Sequence, residues 1–100
     1  MKSLIFVFFL LFTCRMQAQF LIKGKVIDNE THQPLELATV TLTRDSSSTV
    51  YKYDLTDPKG CFSFSVSENN TWTVHVTYLG YQKESQPVQK GKGMTFQLKP

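Results

Sequence analysis

Asp57-Pro58-Lys59-Gly60-Cys61-Phe62-Ser63-Phe64-Ser65-Val66 decides how this chain folds. Its first four residues put Asp, Pro and Gly at the first, second and fourth positions of a type I turn. There the aspartate starts the turn as an acceptor and the proline presets the backbone. The residues that follow alternate, with Phe62, Phe64 and Val66 on one side of an extended strand and Cys61, Ser63 and Ser65 on the other. A turn running straight into a period-two stretch predicts a strand with one buried and one solvated face.

The same pattern extends in both directions. Downstream, Trp72, Val74, Val76 and Tyr78 alternate with Thr73, His75, Thr77 and Leu79, and upstream, Ala38, Val40 and Leu42 alternate with Thr39, Thr41 and Thr43. These three stripes form the expected core. Strands are predicted at 21–27, 36–43, 49–55, 61–66, 72–79, 81–86 and 94–98, with polar turns at 28–34 and 68–71 and a bend at Gly80. No helical stripe appears. Seven short strands at this spacing predict an all-β, seven-stranded antiparallel sandwich.

The N-terminus reads differently. Met1-Lys2-Ser3 leads into an apolar run from Leu4 to Phe12, then Thr13-Cys14-Arg15-Met16-Gln17-Ala18-Gln19. A cationic start, a short apolar stretch and a small residue near the cut describe a secretory signal peptide over 1–19. The nine apolar residues fall well short of the ~20 that span a bilayer as a helix. An alternative reading makes Leu11-Phe12-Thr13-Cys14 a lipoprotein box with Cys14 acylated, although Phe and Thr are bulky for such a box. Residues 20–100 then form one domain.

Loss of residues 1–19 removes Lys2 and Arg15, so the 11 basic residues become nine against eight acidic ones, a net charge of +1. No segment gathers Lys and Arg on one face, so a nucleic-acid partner is not expected. Cys61 is left as the single cysteine of the mature chain, which excludes an internal disulfide there. The domain therefore depends on its hydrophobic core alone.

Four landmarks, in order, carry a resemblance: Ile22-Lys23-Gly24-Lys25-Val26-Ile27-Asp28; Gln33-Pro34-Leu35-Glu36-Leu37-Ala38-Thr39-Val40; Thr56-Asp57-Pro58-Lys59-Gly60-Cys61-Phe62-Ser63-Phe64; and Val76-Thr77-Tyr78-Leu79-Gly80-Tyr81. With them the chain resembles the carboxypeptidase regulatory-like domains, whose sandwich is transthyretin-like. The resemblance implies that Gly24, Asp28, Pro34, Ala38, Asp57, Gly60, Phe62, Gly80 and Tyr81 are structural landmarks. With Arg44-Asp45-Ser46 and Val50 ahead of the Thr56-Asp57 turn, the chain resembles the variant preceding TonB-dependent outer-membrane receptors in Bacteroidetes-type bacteria. That similarity implies a periplasmic or outer-membrane-associated place. Because the sequence stops at Pro100, plug and barrel are expected to be absent from this polypeptide. At the position of Cys61 the family commonly has a charged or polar residue, and the parity of the strand points Cys61 outward.

The residues offer little chemistry. His32 lies in a polar loop and His75 on an outward strand face, and neither has a partner at metal-ligand or triad spacing, so both are expected to be solvated. Asp28, Glu30 and His32, and likewise Asp54 with Asp57, lack the spacing of a calcium loop. Asn29-Glu30-Thr31 and Asn69-Asn70-Thr71 have the form of glycosylation sequons, expected to be idle in a periplasm. No catalytic residue, metal site or cofactor is expected. A domain of this kind is expected to dock, offering the backbone of an exposed edge strand to an envelope or outer-membrane protein. The alternative is a carbohydrate-binding module in which Tyr51, Tyr53 and Tyr81 stack on sugar rings.

Overall fold

β-Branched and aromatic residues alternating with Ser, Thr and Lys favour extended backbone, and seven segments adopt it. The computed structural model describes residues 19–67 and 70–100. The strands are β1 (Gln19–Asp28), β2 (Thr39–Arg44), β3 (Val50–Leu55), β4 (Cys61–Ser67), β5 (Trp72–Thr77), β6 (Glu84–Pro87) and β7 (Met94–Leu98). Apart from Gln19, which pairs with Ser67, the expected signal peptide and Cys14 lie outside the described residues, as does part of the turn at 68–71.

Two sheets face each other, one ordered β4-β1-β7 and the other β3-β2-β5-β6. All pairings are antiparallel except β1 with β7, which is parallel, so the expectation of a wholly antiparallel sandwich is corrected. The cause is the crossing from β6 in one sheet to β7 in the other, which delivers β7 alongside β1 in the same direction. β1 serves two partners in succession, β4 along residues 19–25 and β7 along 24–28.

The three predicted stripes point inward, with Ala38, Val40, Leu42, Phe62, Phe64, Val66, Trp72, Val74 and Val76 all buried, while Tyr78, the last of its predicted stripe, lies past the end of β5 and is only half-buried against the core. Ile22, Val26, Leu35, Met94, Phe96 and Leu98 complete the core, which lies entirely between residues 22 and 98. Among the described residues, that core is supplied wholly by positions 22–98. Phe62 sits between Phe64 and Phe96, at ring-centre distances of 6.0 and 6.1 Å. Its ring lies across β1 where Gly24 leaves room: a Cβ there would stand 2.2 Å from the ring tip.

Most strand ends shift by one residue or more, and three of the shifts are set by turns. β2 begins at Thr39, not Glu36, because Thr56 captures the preceding residues. Its hydroxyl donates to Leu35 O (2.5 Å) and accepts from Ala38 N–H (2.8 Å), while its carbonyl accepts from Leu37 N–H (3.0 Å). Leu37 takes a positive φ of 63° in that turn. β5 ends at Thr77, since Tyr81 N–H donates to Tyr78 O and closes a turn in which Gly80 has φ 87° and Leu79 is exposed at the tip. β6 consequently starts at Glu84 instead of residue 81.

The turn at 57–60 forms as its residues require. Gly60 N–H donates to Asp57 O (2.8 Å), and the Asp57 carboxylate accepts from Lys59 N–H and Cys61 N–H, each at 2.9 Å. Pro34 is bridged to Ile27, and Leu35 N–H reaches Val26 O (3.0 Å), which ties the 28–34 loop to β1.

Candidate functional site

A two-sheet sandwich has four edges, here β4, β7, β3 and β6, and each exposes backbone groups that pair with nothing in their own sheet. Three are blunted by the chain itself. Along β4, Cys61 exchanges hydrogen bonds with Asp57, Lys52 Nζ donates to Ser65 O (2.9 Å), and Trp72 Nε1 donates to Ser67 O (3.0 Å). On β7, Gln86 Nε2 donates to Thr95 O, and just past its end Gln82 N–H donates to Lys99 O. β6 has four residues and ends in Pro87, which has no N–H to offer.

β3 is treated differently. Its six residues are mostly exposed, and among the described residues its outward-facing backbone has one cap, Leu55 N–H donating to the Asp54 carboxylate (2.9 Å). A register shift between Leu42 and Thr43 sets Lys52 opposite Leu42 and Val50 opposite Thr43, leaving Tyr51 as the extra residue of a bulge. Tyr53, 72% exposed, opposes Thr41, on the sheet face away from the core. Tyr51 instead turns its ring onto buried Trp72, 5.1 Å between centres, with the cations of Arg44 and Lys52 at 5.0 and 5.8 Å. The two tyrosines therefore do not build one flat platform, despite their spacing of two.

Tyr81 is not an outward aromatic either. It stacks on Tyr78 at 5.6 Å, packs against the core, and donates its hydroxyl to Asp28 Oδ2 (2.5 Å). Asp28 Oδ1 accepts from Glu30 N–H (2.7 Å) and Thr31 N–H (3.0 Å), so its carboxylate is occupied within its own loop. The Tyr81 hydroxyl first, and the two backbone N–H groups after it, hold Asp28 below the usual carboxylate range. The same hydrogen bond, joined by desolvation, raises Tyr81 above the usual phenol range.

A lowered carboxylate stabilises fully above its unfolded value of about 3.9 and loses that contribution as pH falls through the folded value. A raised phenol stabilises fully below about 10 and loses its contribution as pH rises through its folded value. Tyr81→Phe is expected to flatten the acid limb of stability below about pH 4, and to remove the Tyr81 contribution to the alkaline limb. Urea midpoints across pH check this, and an acid limb as steep as in the wild type would refute it. His75, also held below its usual value, affects both proteins alike on acidification.

His75 corrects a second expectation. It is half-buried rather than solvated, with Nε2 3.0 Å from Thr43 Oγ1 and Nδ1 2.6 Å from Ser85 Oγ, a rung joining β2, β5 and β6. Desolvation, then the charge of Lys83, lowers its pKa and keeps the ring neutral. Among the described residues no three His, Cys, Asp or Glu side chains are gathered to hold a metal ion. Cys61 is half-buried on the outward face of β4 and unbridged.

With this geometry in view, the model of the CarboxypepD_reg-like domain matches residues 22–100. The chain belongs to that family. Its fold is also similar to the C-terminal domain of the shaft pilin SpaA from Lactobacillus rhamnosus GG, with a TM-score of 0.58 and 15% identity. That match covers 84% of this chain and 99% of the pilin domain. No curated protein matches the sequence. As a CarboxypepD_reg-like domain the chain is an accessory β-sandwich of a non-catalytic domain type. Several of its landmarks have structural work: Gly24 admits Phe62, Asp28 holds Tyr81, and Asp57 caps the turn ending at Gly60.

Proposed function

We propose that this CarboxypepD_reg-like domain is a non-enzymatic docking module of the bacterial envelope that takes an extended strand of a partner protein along β3. Its setting, in this reading, is the periplasmic side of a TonB-dependent outer-membrane receptor system. The observation that carries the reading is the contrast among edges: three are capped or shortened, while β3 keeps six residues with an outward backbone almost uncapped. Strand addition draws its affinity from such backbone groups.

Tyr53→Pro tests it. Tyr53 N–H faces the free edge, so proline removes a donor to the partner while sparing the ladder to β2. Affinity capture from solubilised envelope is expected to recover an outer-membrane receptor or TonB-system protein with wild type and with Tyr53→Ala, and to lose it with Tyr53→Pro. Capture that survives Tyr53→Pro would sink the edge-docking mode. The glycan alternative is not favoured here, because Tyr51 is engaged by Trp72 and Tyr53 stands on the other face. Retardation in a polysaccharide gel that a Tyr51→Ala, Tyr53→Ala double variant abolishes would restore it.

A further inference from the structure

β3 reads Val50-Tyr51-Lys52-Tyr53-Asp54-Leu55, with a cation and an anion placed symmetrically about Tyr53. Lys52 opposes Leu42 and Asp54 opposes Val40, so both charged side chains stand on one face of the sheet, the core side. Thr56 N–H donates to Ala38 O and Thr56 O accepts from Leu37 N–H, so Thr56 turns its backbone toward β2. Alternation turns Asp54 and Lys52 the same way and leaves the N–H and C=O of Tyr53 on the free edge. Leu55 N–H, caught by the adjacent Asp54 carboxylate, fits that parity.

We infer that β3 pairs antiparallel with β3 of a second copy of this chain about a two-fold axis at Tyr53. The inference rests on the edge-docking reading above and adds a second copy of this chain as an occupant of the same edge. Centred there, the two Tyr53 residues exchange a pair of N–H···O bonds, and Lys52 of each copy faces Asp54 of the other. Those charged residues occupy non-hydrogen-bonded positions, where opposing side chains are closest. Centring on Lys52 or on Asp54 would instead oppose like charges, so the charge pattern selects one register.

Both side chains have capacity left for the pairing. Lys52 uses one of three donors on Ser65 O, and Asp54 uses one oxygen on Leu55 N–H. The contact is isologous, since each copy presents the same strand to the other. It would join two four-stranded sheets into one of eight. Six-residue strands meeting edge to edge make a small interface, so the dimer is weak, with a dissociation constant on the order of 0.1 mM.

Sedimentation velocity on residues 19–100 is expected to show a monomer–dimer equilibrium in that range. Lys52→Asp or Asp54→Lys alone opposes like charges at both rungs and is expected to weaken the dimer about tenfold or more. Mixed in equal amounts, the two variants restore opposite charges at each rung, and association is expected to return to the wild-type level. That recovery also shows that both variants are folded. Wild type that stays monomeric to about 1 mM, a dimer indifferent to either reversal, or a mixture no stronger than its parts each overturns the pairing. If the protein stays monomeric while Tyr53→Pro still abolishes envelope capture, self-pairing falls and the docking reading stands.

Discussion

Gly60→Ala is expected to lower the urea midpoint of residues 19–100 by about 2 M or more, with the slope of the transition unchanged. Two effects act together. Gly60 has φ 76°, a left-handed conformation that alanine adopts only at a cost. Its missing Cβ would also lie 2.5 Å from Val26 O and 3.2 Å from Pro34 Cβ. Val26 O is backbone of β1, is bonded to Leu35 N–H, and its residue's own N–H is bonded to Gly60 O, so it has nowhere to retreat.

Strain and overpacking together are worth about 2–4 kcal/mol. A domain of this size has only about 4–12 kcal/mol in all. Gly60→Asn separates the two effects, because asparagine tolerates the left-handed region but carries the same Cβ. If steric conflict dominates, asparagine destabilises about as much as alanine. Recovery of wild-type stability with asparagine would mean that the clash is relieved by a small backbone shift and that conformation alone set the requirement.

Thr56→Val carries the second large effect. The substitution keeps shape and removes a hydroxyl that serves Leu35 O and Ala38 N–H, both in a buried setting. Leaving two such groups unpaired costs about 2–4 kcal/mol, more than the hydrogen bonds themselves contribute to folding. Thr56→Ser retains the hydroxyl and loses a methyl, about 1 kcal/mol. Valine is therefore expected to be the more damaging, with its earliest consequence in faster hydrogen exchange at Leu37 and Ala38. A valine variant as stable as the serine one would show that the 35–38 segment does not depend on this anchor.

Both residues were within reach of the sequence only in part. Gly60 is legible as the end of a turn, because Asp57-Pro58-Lys59-Gly60 is a local pattern and turn chemistry acts over four residues. That its Cβ position faces the carbonyl of Val26, thirty-four positions earlier, is not local. Thr56 belongs to a landmark segment, yet nothing in its neighbourhood announces that its hydroxyl anchors residues 35 and 38. Asp28 and Tyr81 were both landmarks of the resemblance, but their hydrogen bond joins positions 53 apart. Read alone, Tyr81 looked like an outward ring for a sugar.

The candidate edge shows the same division. Alternation in residues 38–42, 62–66 and 72–76 sufficed to name the inward side chains, because the period of two is set within each strand by its own backbone. Tyr51 and Tyr53 stood out as aromatics two apart, and spacing alone puts such a pair on one face. The bulge at Tyr51 breaks that rule, and it arises only where β3 meets β2, with Val50 and Lys52 set opposite the consecutive residues Thr43 and Leu42.

Sequence by itself determined the fold class, the buried stripes, the 57–60 turn and the lack of a motif for catalysis, since each is written in contiguous residues and short-range stereochemistry. Tertiary structure alone decided the parallel β1–β7 pairing, the half-buried hydrogen-bonded places of Tyr81 and His75, and the identity of the least capped edge. Those depend on which distant segments are brought side by side. An edge is open or closed according to what another sheet lays across it, as Lys52 does to β4 and Gln86 to β7.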